Sequence, residues 1–155
     1  MVTYNTKIDL TVEPVWHQDP PEIIVRIGSD WSWTGFLKTP TTFSHAWESG
    51  KDHATVSVEF LNKRDADTLG DKDKATVIRS VRFNGIGSDK LLWQGKYYPR
   101  YPEPWATEQK ILGQDLPEYL SAHTYLGWNG IWILEFGVPV FTWIHQIEDL
   151  GWIYD

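Results

Sequence analysis

The sequence of 155 residues contains no cysteine. This absence excludes disulfide bonds, thiol nucleophiles, iron–sulfur clusters and thiolate zinc sites, and the fold does not depend on an oxidising compartment. Basic residues are also few, because 14 Lys and Arg stand against 21 Asp and Glu and the formal net charge is −7. Nucleic-acid-binding proteins need a cationic surface that neutralises phosphates, so we expect no nucleic-acid partner.

Long apolar runs are missing as well. The most apolar stretch, residues 131–144, contains Glu135 and Pro139 and is shorter than the ~20 residues that a membrane span needs. The start of the chain, MVTYNTKIDLTVE, lacks a basic region followed by an apolar one, so no signal peptide is expected. We predict a soluble protein with a single domain over residues 1–155, a length that suits one hydrophobic core.

Alternation of apolar and polar residues with a period of two is the main pattern that is present. It predicts half-buried strands over residues 7–13, 54–61 and 75–83, and Asn84-Gly85 then marks a tight turn. Further predicted strands cover residues 22–27, 31–37, 91–94, 96–98, 131–136 and 138–147.

Helix signals are scarce. Pro117 in a first turn after Asp115 favours a short helix over residues 117–122, and residues 105–111 are a less regular candidate. Many short strands without βα alternation predict an all-β fold, a jelly-roll-like antiparallel β-sandwich with at most one short helix. Residues 95–130 are the least regular region, and excursions of this length commonly carry function or cover a surface.

An acidic loop follows the strand over residues 54–61. Its carboxylates and amide are the hard oxygen ligands that Ca²⁺ prefers. The candidate metal ligands are Asn62, Asp65, Asp67, Asp71 and Asp73. An EF-hand is excluded because Thr76 stands where the bidentate glutamate belongs. The alternative, which stays open, is a solvated hairpin loop whose acids are neutralised by Lys63, Arg64, Lys72 and Lys74.

The stretch VSVEFLN, the acidic loop and GDKDKATVIRSVRFNG, residues 56–85, resemble the calcium-dependent carbohydrate-binding modules of the xylan-binding type. The resemblance implies a β-sandwich that holds Ca²⁺ at a loop end, where the ion coordinates sugar hydroxyls directly. By position it assigns Asn62, Asp71 and Asp73 to the loop pattern and Asn84-Gly85 to its closing turn. Lys63 replaces the aspartate of that pattern, and Lys72 replaces the arginine.

A second resemblance covers the rest of the chain. YYPRYPEPW, GWNGIWILEF and WIHQIEDLGWIYD are similar to segments of uncharacterised proteins from marine cyanophages and ocean metagenomes. It implies a viral or environmental source and a location in the virion or the infected-cell cytoplasm, and it implies no chemistry.

Aromatic residues are abundant, with ten Trp, seven Tyr and six Phe. Sugar-binding proteins expose such rings because the apolar C–H face of a pyranose packs on a ring while its hydroxyls need polar neighbours. The candidate ligand-binding residues are Trp31, Trp33, Tyr98, Arg100, Tyr101, Glu103 and Trp105. The alternative is that these rings cover the core and rim of the sandwich.

Enzyme signatures are sparse. His17 and Asp19 have the spacing of a facial-triad iron site, for which His123 or His145 would supply the third ligand. The acids Glu59 and Glu135 lie at outward positions of their strands, so no pair of carboxylates for glycoside hydrolysis is predicted.

These observations predict a non-catalytic, lectin-like protein that binds a polysaccharide or glycan with the assistance of Ca²⁺. The alternative is a structural protein of a phage virion or its assembly, in which the aromatic surface forms a subunit interface with further copies or other virion proteins.

Overall fold

A computed structural model describes residues 2–149 and shows ten strands and three helices in that part of the chain. The strands are β1 (Tyr4–Val15), β2 (Glu22–Ile27), β3 (Trp31–Phe36), β4 (Thr41–Ser49), β5 (Asp52–Phe60), β6 (Ala75–Phe83), β7 (Lys96–Pro99), β8 (Leu120–Ser121), β9 (Tyr125–Leu126) and β10 (Gly130–Val138). The helices are α1 (Asp89–Leu92), α2 (Trp105–Ile111) and α3 (Val140–Glu148), and a 3₁₀ turn covers Asp65–Asp67.

The strands form two antiparallel sheets, so the predicted all-β sandwich is confirmed. One sheet has the order β4-β1-β6-β9, and the other has the order β3-β2-β5-β10-β7-β8. The core lies between them, because alternate residues of the strands, such as Ile8, Leu10 and Val12 of β1, are fully buried. Burial of this alternating face is the reason that the period-two pattern predicts most of the strands.

The predicted turn at Asn84-Gly85 is present and joins β6 to the residues that follow. Both residues have positive φ, 51° and 83°, as a type I′ turn requires. Phe83 and Ile86 exchange two backbone hydrogen bonds across it, at 2.8 and 3.0 Å. The Asn84 side chain also accepts a hydrogen bond from the Lys7 N–H at 2.6 Å, which ties the turn to β1.

The prediction of at most one short helix is wrong, because three helices are present. The largest difference is α3, where residues 138–147 were expected to form a strand. Val140, Trp143, Ile144 and Ile147 all pack in the core, and this spacing is the i, i+3, i+4, i+7 stripe of a helix. The β-favouring composition of the segment hides that helical period.

Three shorter segments also differ from expectation. Residues 91–94, which the sequence predicts as a strand, contain the C-terminal end of α1. The N-terminus of this helix is capped by the Ser88 side chain, which accepts a hydrogen bond from the Leu91 N–H at 3.2 Å. The expected helix over residues 117–122 is absent, and β8 lies there instead. Strand β4 was not predicted, because its inward positions include the polar His45. The helix over residues 105–111 is confirmed as α2.

No helix within residues 2–149 is long and apolar enough to span a membrane. Residues 150–155, which end the segment similar to phage proteins, lie outside the described part of the chain. The irregular region between residues 95 and 130 supplies β7, α2, β8 and β9. Strands β7 and β8 lie at the edge of the six-stranded sheet opposite β3, and β9 is the edge strand of the four-stranded sheet opposite β4.

Candidate functional site

The acidic loop is built around a buried ion pair between Lys74 and Asp67, whose side chains are each 1% exposed. Their charged atoms are 3.2 Å apart, and the Lys74 ammonium group is also 3.0 Å from the carboxylate of Asp19. Arg64 joins the network at 3.1 Å from Asp67 and 2.8 Å from Asp19. Burial opposes ionisation of Asp67, but hydrogen bonds from Arg64 and Lys74 outweigh it and lower the pKa of this carboxyl to about 2.

A second pair lies next to the first. The buried Lys63 ammonium group contacts the Asp73 carboxylate and donates a hydrogen bond to the Lys74 carbonyl at 2.7 Å. Asp73 also accepts hydrogen bonds from Thr68 at 2.8 Å and from the Tyr125 hydroxyl at 2.6 Å. Burial again opposes ionisation, but these hydrogen bonds lower the pKa of Asp73 below its usual value. The loop therefore holds two lysine charges in its interior.

The other predicted metal ligands are directed elsewhere. Asp65 and Asp71 are exposed, and the Asn62 side chain is used by the chain entering β2, where it accepts from the Glu22 N–H at 2.8 Å. Within residues 2–149 no group of three or more His, Cys, Asp or Glu side chains could hold a metal ion. The structure thus does not bring the five predicted ligands together around one point.

The residues present do not fit the calcium ion that the resemblance implies, because lysine ammonium groups already engage the two best-placed carboxylates. The alternative prediction, a solvated hairpin loop whose acids are neutralised by basic residues, agrees with the structure in part. Lys63, Arg64 and Lys74 neutralise the acids as that interpretation expects, but Lys63 and Lys74 are buried and only Lys72 among these four has no ion pair in the described part of the chain.

Calorimetric titration of Ca²⁺ into chelator-treated protein is therefore expected to give no saturable heat up to millimolar concentration. The unfolding midpoint should also stay the same with calcium or with chelator, since a ligand that binds the folded state would raise it. Asp71→Ala, which removes an exposed carboxylate of the loop, serves as the comparison. Saturable heat in the wild type that is lost in Asp71→Ala would establish the calcium site and contradict this expectation.

An open cleft of about 510 Å³ lies beside the acidic loop. It is lined by Asp65, Tyr97, Pro99, Tyr101, Pro102, Trp105, Leu120, His123, Tyr125, Gly127 and Trp128. Five of these side chains are Tyr or Trp, and we call this feature the aromatic cleft. Its residues come from the acidic loop and from the irregular region, 97–128, which accounts for the length of that excursion.

Tyr97 is the most buried ring of the aromatic cleft. Its hydroxyl donates to the Trp128 carbonyl and accepts from the Trp128 N–H at 3.2 Å. The imidazole of His123 stacks on the Tyr97 ring, with centroids 5.4 Å apart and planes inclined by 17°. Burial raises the pKa of Tyr97 to about 12, so its hydroxyl is neutral at physiological pH.

The ion pairs of the acidic loop support two further rings. The Tyr125 hydroxyl donates a hydrogen bond to the Asp73 carboxylate. The Lys63 ammonium group lies 5.9 Å from the centroid of the Trp128 ring. The Asn129 side chain accepts from the Lys63 N–H at 2.7 Å and donates to the Lys63 carbonyl at 3.1 Å. The loop and the aromatic cleft are therefore one structural unit, in which the buried pair of Lys63 and Asp73 contacts two rings that line the cleft.

Tyr101 and Trp105 are the two predicted ligand-binding residues that the structure brings together in the aromatic cleft. Their ring centroids are 6.1 Å apart, and the Tyr101 hydroxyl donates to the Pro117 carbonyl at 2.5 Å. Trp105 is the first residue of α2 and is 43% exposed. Trp105 therefore lines the cleft while part of its side chain stays exposed to solvent, and we call this part of the cleft its mouth.

The remaining candidates lie outside the aromatic cleft. Trp31 and Trp33 are on β3 at the opposite edge of the sheet, where both rings pack near Phe43, at 6.3 and 5.0 Å. For these two rings the structural alternative, packing on the core, describes what is observed.

The three other predicted ligand-binding residues make contacts outside the aromatic cleft. Tyr98 packs on the ring of Tyr119 at 5.5 Å. Arg100 forms an ion pair with Glu59, and Glu103 accepts a hydrogen bond from the Thr107 hydroxyl at 2.6 Å in the first turn of α2. Side chains on neighbouring residues of an extended strand point to opposite faces, which separates Tyr98 from Tyr97.

The predicted ligand-binding residues do not include four aromatic side chains of the cleft, Tyr97, His123, Tyr125 and Trp128. Alternation along residues 96–98 indicates that only one of the two adjacent tyrosines can face the site, but it does not say which. His123, Tyr125 and Trp128 lie 26 or more positions beyond Tyr97, in a segment that is placed by the pairing of β8 with β7 and of β9 with β6. No local signal in the sequence reports that pairing.

The residues considered for catalysis are held by other groups. His17 Nε2 lies 2.8 Å from the Asp67 carbonyl oxygen, and Asp19 is paired with Arg64 and Lys74. Glu59 is partly buried, which opposes ionisation, but Arg100 and Arg26 lower its pKa.

Comparison with known proteins gives no family. No protein-family model matches the chain, and no curated protein matches it. Among solved structures it is similar to "vCBM60 in complex with galactobiose", at 12% identity and a TM-score of 0.48 over 85% of this chain and 99% of that chain. A SeMet form of vCBM60, from work on circular permutation between two families of calcium-dependent carbohydrate-binding modules, has 12% identity and a TM-score of 0.47 over 83% and 89%.

Proposed function

We propose that this chain is a non-catalytic carbohydrate-binding protein whose glycan lies in the aromatic cleft. The observation that carries the proposal is the set of five Tyr and Trp rings around one open concavity. Its volume of about 510 Å³ falls within the ~300–1,000 Å³ of typical ligand sites. An open cleft suits an extended oligosaccharide better than an enclosed cavity would, because the chain can continue beyond the site at both ends.

The polar groups of the aromatic cleft suit recognition more than catalysis. Glycoside hydrolysis ordinarily needs two carboxyl groups that flank the scissile bond, and Asp65 is the one carboxylate among the described lining residues. His123 can hydrogen bond to sugar hydroxyls, and the Tyr101 and Tyr125 hydroxyls, which donate within the protein, can accept from them while the rings cover the C–H faces. In this proposal the acidic loop contributes by supporting Tyr125 and Trp128 through its lysines, without a metal.

Trp105→Ala is expected to weaken glycan binding about tenfold or more, since it removes a ring at the mouth of the aromatic cleft. A loss of this size corresponds to about 1.4 kcal/mol. The matched control is Trp93→Ala, which removes a tryptophan of similar exposure, 50%, that does not line the cleft. Isothermal titration with an oligosaccharide that binds the wild type measures the affinity of each variant. Equal affinities for the two variants would contradict the assignment of the site.

The glycan itself is found by a screen of plant, microbial and animal polysaccharides, run with calcium and with chelator. Binding of any class at millimolar concentration or below, lost in Trp105→Ala, supports the proposal. If no class binds under either condition, the carbohydrate-binding function is contradicted.

Subunit assembly is the second candidate function, and one feature favours it. Helix α2 ends beside two exposed aliphatic side chains, Ile111 at 78% and Leu112 at 71%, and apolar groups of this kind are common in interfaces between subunits. Light scattering on the same sample distinguishes the two functions. A stable ring or trimer that dissociates in Ile111→Ser/Leu112→Ser would favour assembly, and a glycan-binding monomer would argue against it.

A further inference from the structure

The aromatic cleft has a one-sided charge. Asp65 is the carboxylate among its lining residues, and none of the described lining residues is Lys or Arg. The Asp65 side chain is exposed and takes part in no ion pair within residues 2–149. A carboxylate that is free on the wall of a ligand site is available to a ligand that brings its own positive charge.

Arg64, which precedes Asp65 in the sequence, is paired with Asp67 and Asp19, and two further basic residues next to residues of the cleft are also paired with other carboxylates. Lys63 is paired with Asp73 beneath the Trp128 ring, and Arg100 is paired with Glu59. None of the three therefore balances the charge of Asp65. A cationic ligand group would meet an uncompensated carboxylate there, and an anionic one would be repelled by it.

Two hydroxyls of the cleft have raised pKa values. Burial and the adjacent Asp73 carboxylate together raise the pKa of Tyr125 to about 12. Burial and the more distant Asp115 raise the pKa of Tyr101. Both hydroxyls are therefore neutral at physiological pH and do not balance the charge of Asp65.

The ring faces act in the same sense as the carboxylate. The face of a Trp or Tyr ring carries partial negative charge and attracts an ammonium group within about 6 Å of its centroid. Five such rings and one unpaired carboxylate together form an environment in the cleft that favours a cation over a neutral group of the same shape. Anionic sugars, such as uronic acids, would be disfavoured by the same groups.

We propose that the aromatic cleft selects glycans built of amino sugars, whose ammonium group lies near the Asp65 carboxylate and the ring faces. This inference deepens the proposed carbohydrate-binding function and rests on it. The pyranose ring supplies the apolar face that the aromatic side chains cover, and its amino group supplies the charge that the cleft lacks.

The test compares three oligosaccharides of the same length and linkage that differ only at the second carbon of each sugar. These are β-1,4-linked hexamers of glucosamine, N-acetylglucosamine and glucose, which carry an ammonium, an acetamide and a hydroxyl group. Isothermal titration at about pH 6, below the ordinary pKa of an amino group, is expected to show about five- to tenfold tighter binding of the glucosamine hexamer than of either other hexamer. The preference should shrink as salt is raised, because salt screens the exposed carboxylate.

Asp65→Asn is expected to remove most of this preference, because it should lower the affinity for the glucosamine hexamer more than the affinity for the glucose hexamer. Asp71→Asn is the matched control, since Asp71 is an exposed carboxylate of the same loop that does not line the cleft. Because Asp65 is exposed, both variants should unfold at the wild-type midpoint, which is checked by circular dichroism.

The possible failures are distinguishable. Equal affinity for the three hexamers, tighter binding of the acetylated one, or an unchanged preference in Asp65→Asn overturns this inference and leaves the carbohydrate-binding function in place. Failure of all three hexamers, together with a failed polysaccharide screen, overturns both.

Discussion

Lys74→Met is expected to lower the free energy of unfolding by about 3–5 kcal/mol. The ammonium group of Lys74 is buried and lies within 3.2 Å of the carboxylates of Asp67 and Asp19. Methionine fills a similar volume but leaves the buried Asp67 carboxylate with Arg64 as its remaining charged partner. Arg64 is 60% exposed and compensates the buried carboxylate less well than the buried ammonium group, so the loss of Lys74 has a large effect. Urea unfolding followed by tryptophan fluorescence measures the loss.

The matched control for this prediction is Lys72→Met. Lys72 is exposed two positions away in the same loop and has no ion pair in residues 2–149, so its replacement should change stability by no more than ~0.5 kcal/mol. The double variant Lys74→Met/Asp67→Asn should lose less than the sum of the two single variants, because residues in one network are coupled. A loss in Lys74→Met as small as that in Lys72→Met would show that the pair is not buried in solution.

The fold could be predicted from the sequence wherever one face of a strand is buried. In β1 and β5 most inward residues are apolar and most outward ones are polar, so the period of two is visible in the residues themselves. In β6 the period is interrupted, because the buried Ile78 and Val81 are three positions apart where the pairing with β1 shifts register. The same physics explains the failure at α3. Its composition favours strands, but the stripe of Val140, Ile144 and Ile147 has the helical period, and burial of that stripe decides the structure.

The acidic loop could be predicted only in its location and composition. Charge counting indicates that lysines neutralise the aspartates, but it does not indicate that Lys63 and Lys74 are buried, since Lys is among the residue types least often buried. Their burial depends on partners far along the chain, such as Asp19 for Lys74. The sequence therefore leaves a metal site and a solvated hairpin loop equally open, and the lysines paired with Asp67 and Asp73 are the reason that we expect no calcium there.

The aromatic cleft could be predicted only in part for a related reason. Tyr101 and Trp105 are close in sequence and stand out in an irregular, proline-rich segment. Their partners Tyr125 and Trp128 come from a different segment and reach the cleft through the loop that supports them. A ligand site assembled from separate segments has no periodic signature, because no single element repeats in it.

Acidification is expected to reduce the free energy of unfolding by about 2 kcal/mol through Asp67 alone between about pH 5 and pH 2. Burial opposes ionisation of this carboxyl, but hydrogen bonds from Arg64 and Lys74 lower its pKa from 3.8 to about 2. A carboxyl whose pKa is lower in the folded state stabilises the fold fully above its unfolded pKa. The unfolded chain binds the proton first, so this stabilisation disappears as the pH falls through the folded pKa. The lowered pKa values of Asp73 and Glu59 act in the same direction.

Urea unfolding at a series of pH values tests the assignment to Asp67. Asp67→Asn cannot ionise at this position, so its stability should fall less steeply with decreasing pH than that of the wild type, whatever its stability at neutral pH. Asp71→Asn, which replaces an exposed carboxylate of the same loop, should keep the wild-type slope. If Asp67→Asn also kept that slope, the pair with Lys74 would not be linked to folding. Because the same network holds Asp73 against Tyr125 and Lys63 beneath Trp128, glycan affinity should decline over the same acidic range, before the chain unfolds.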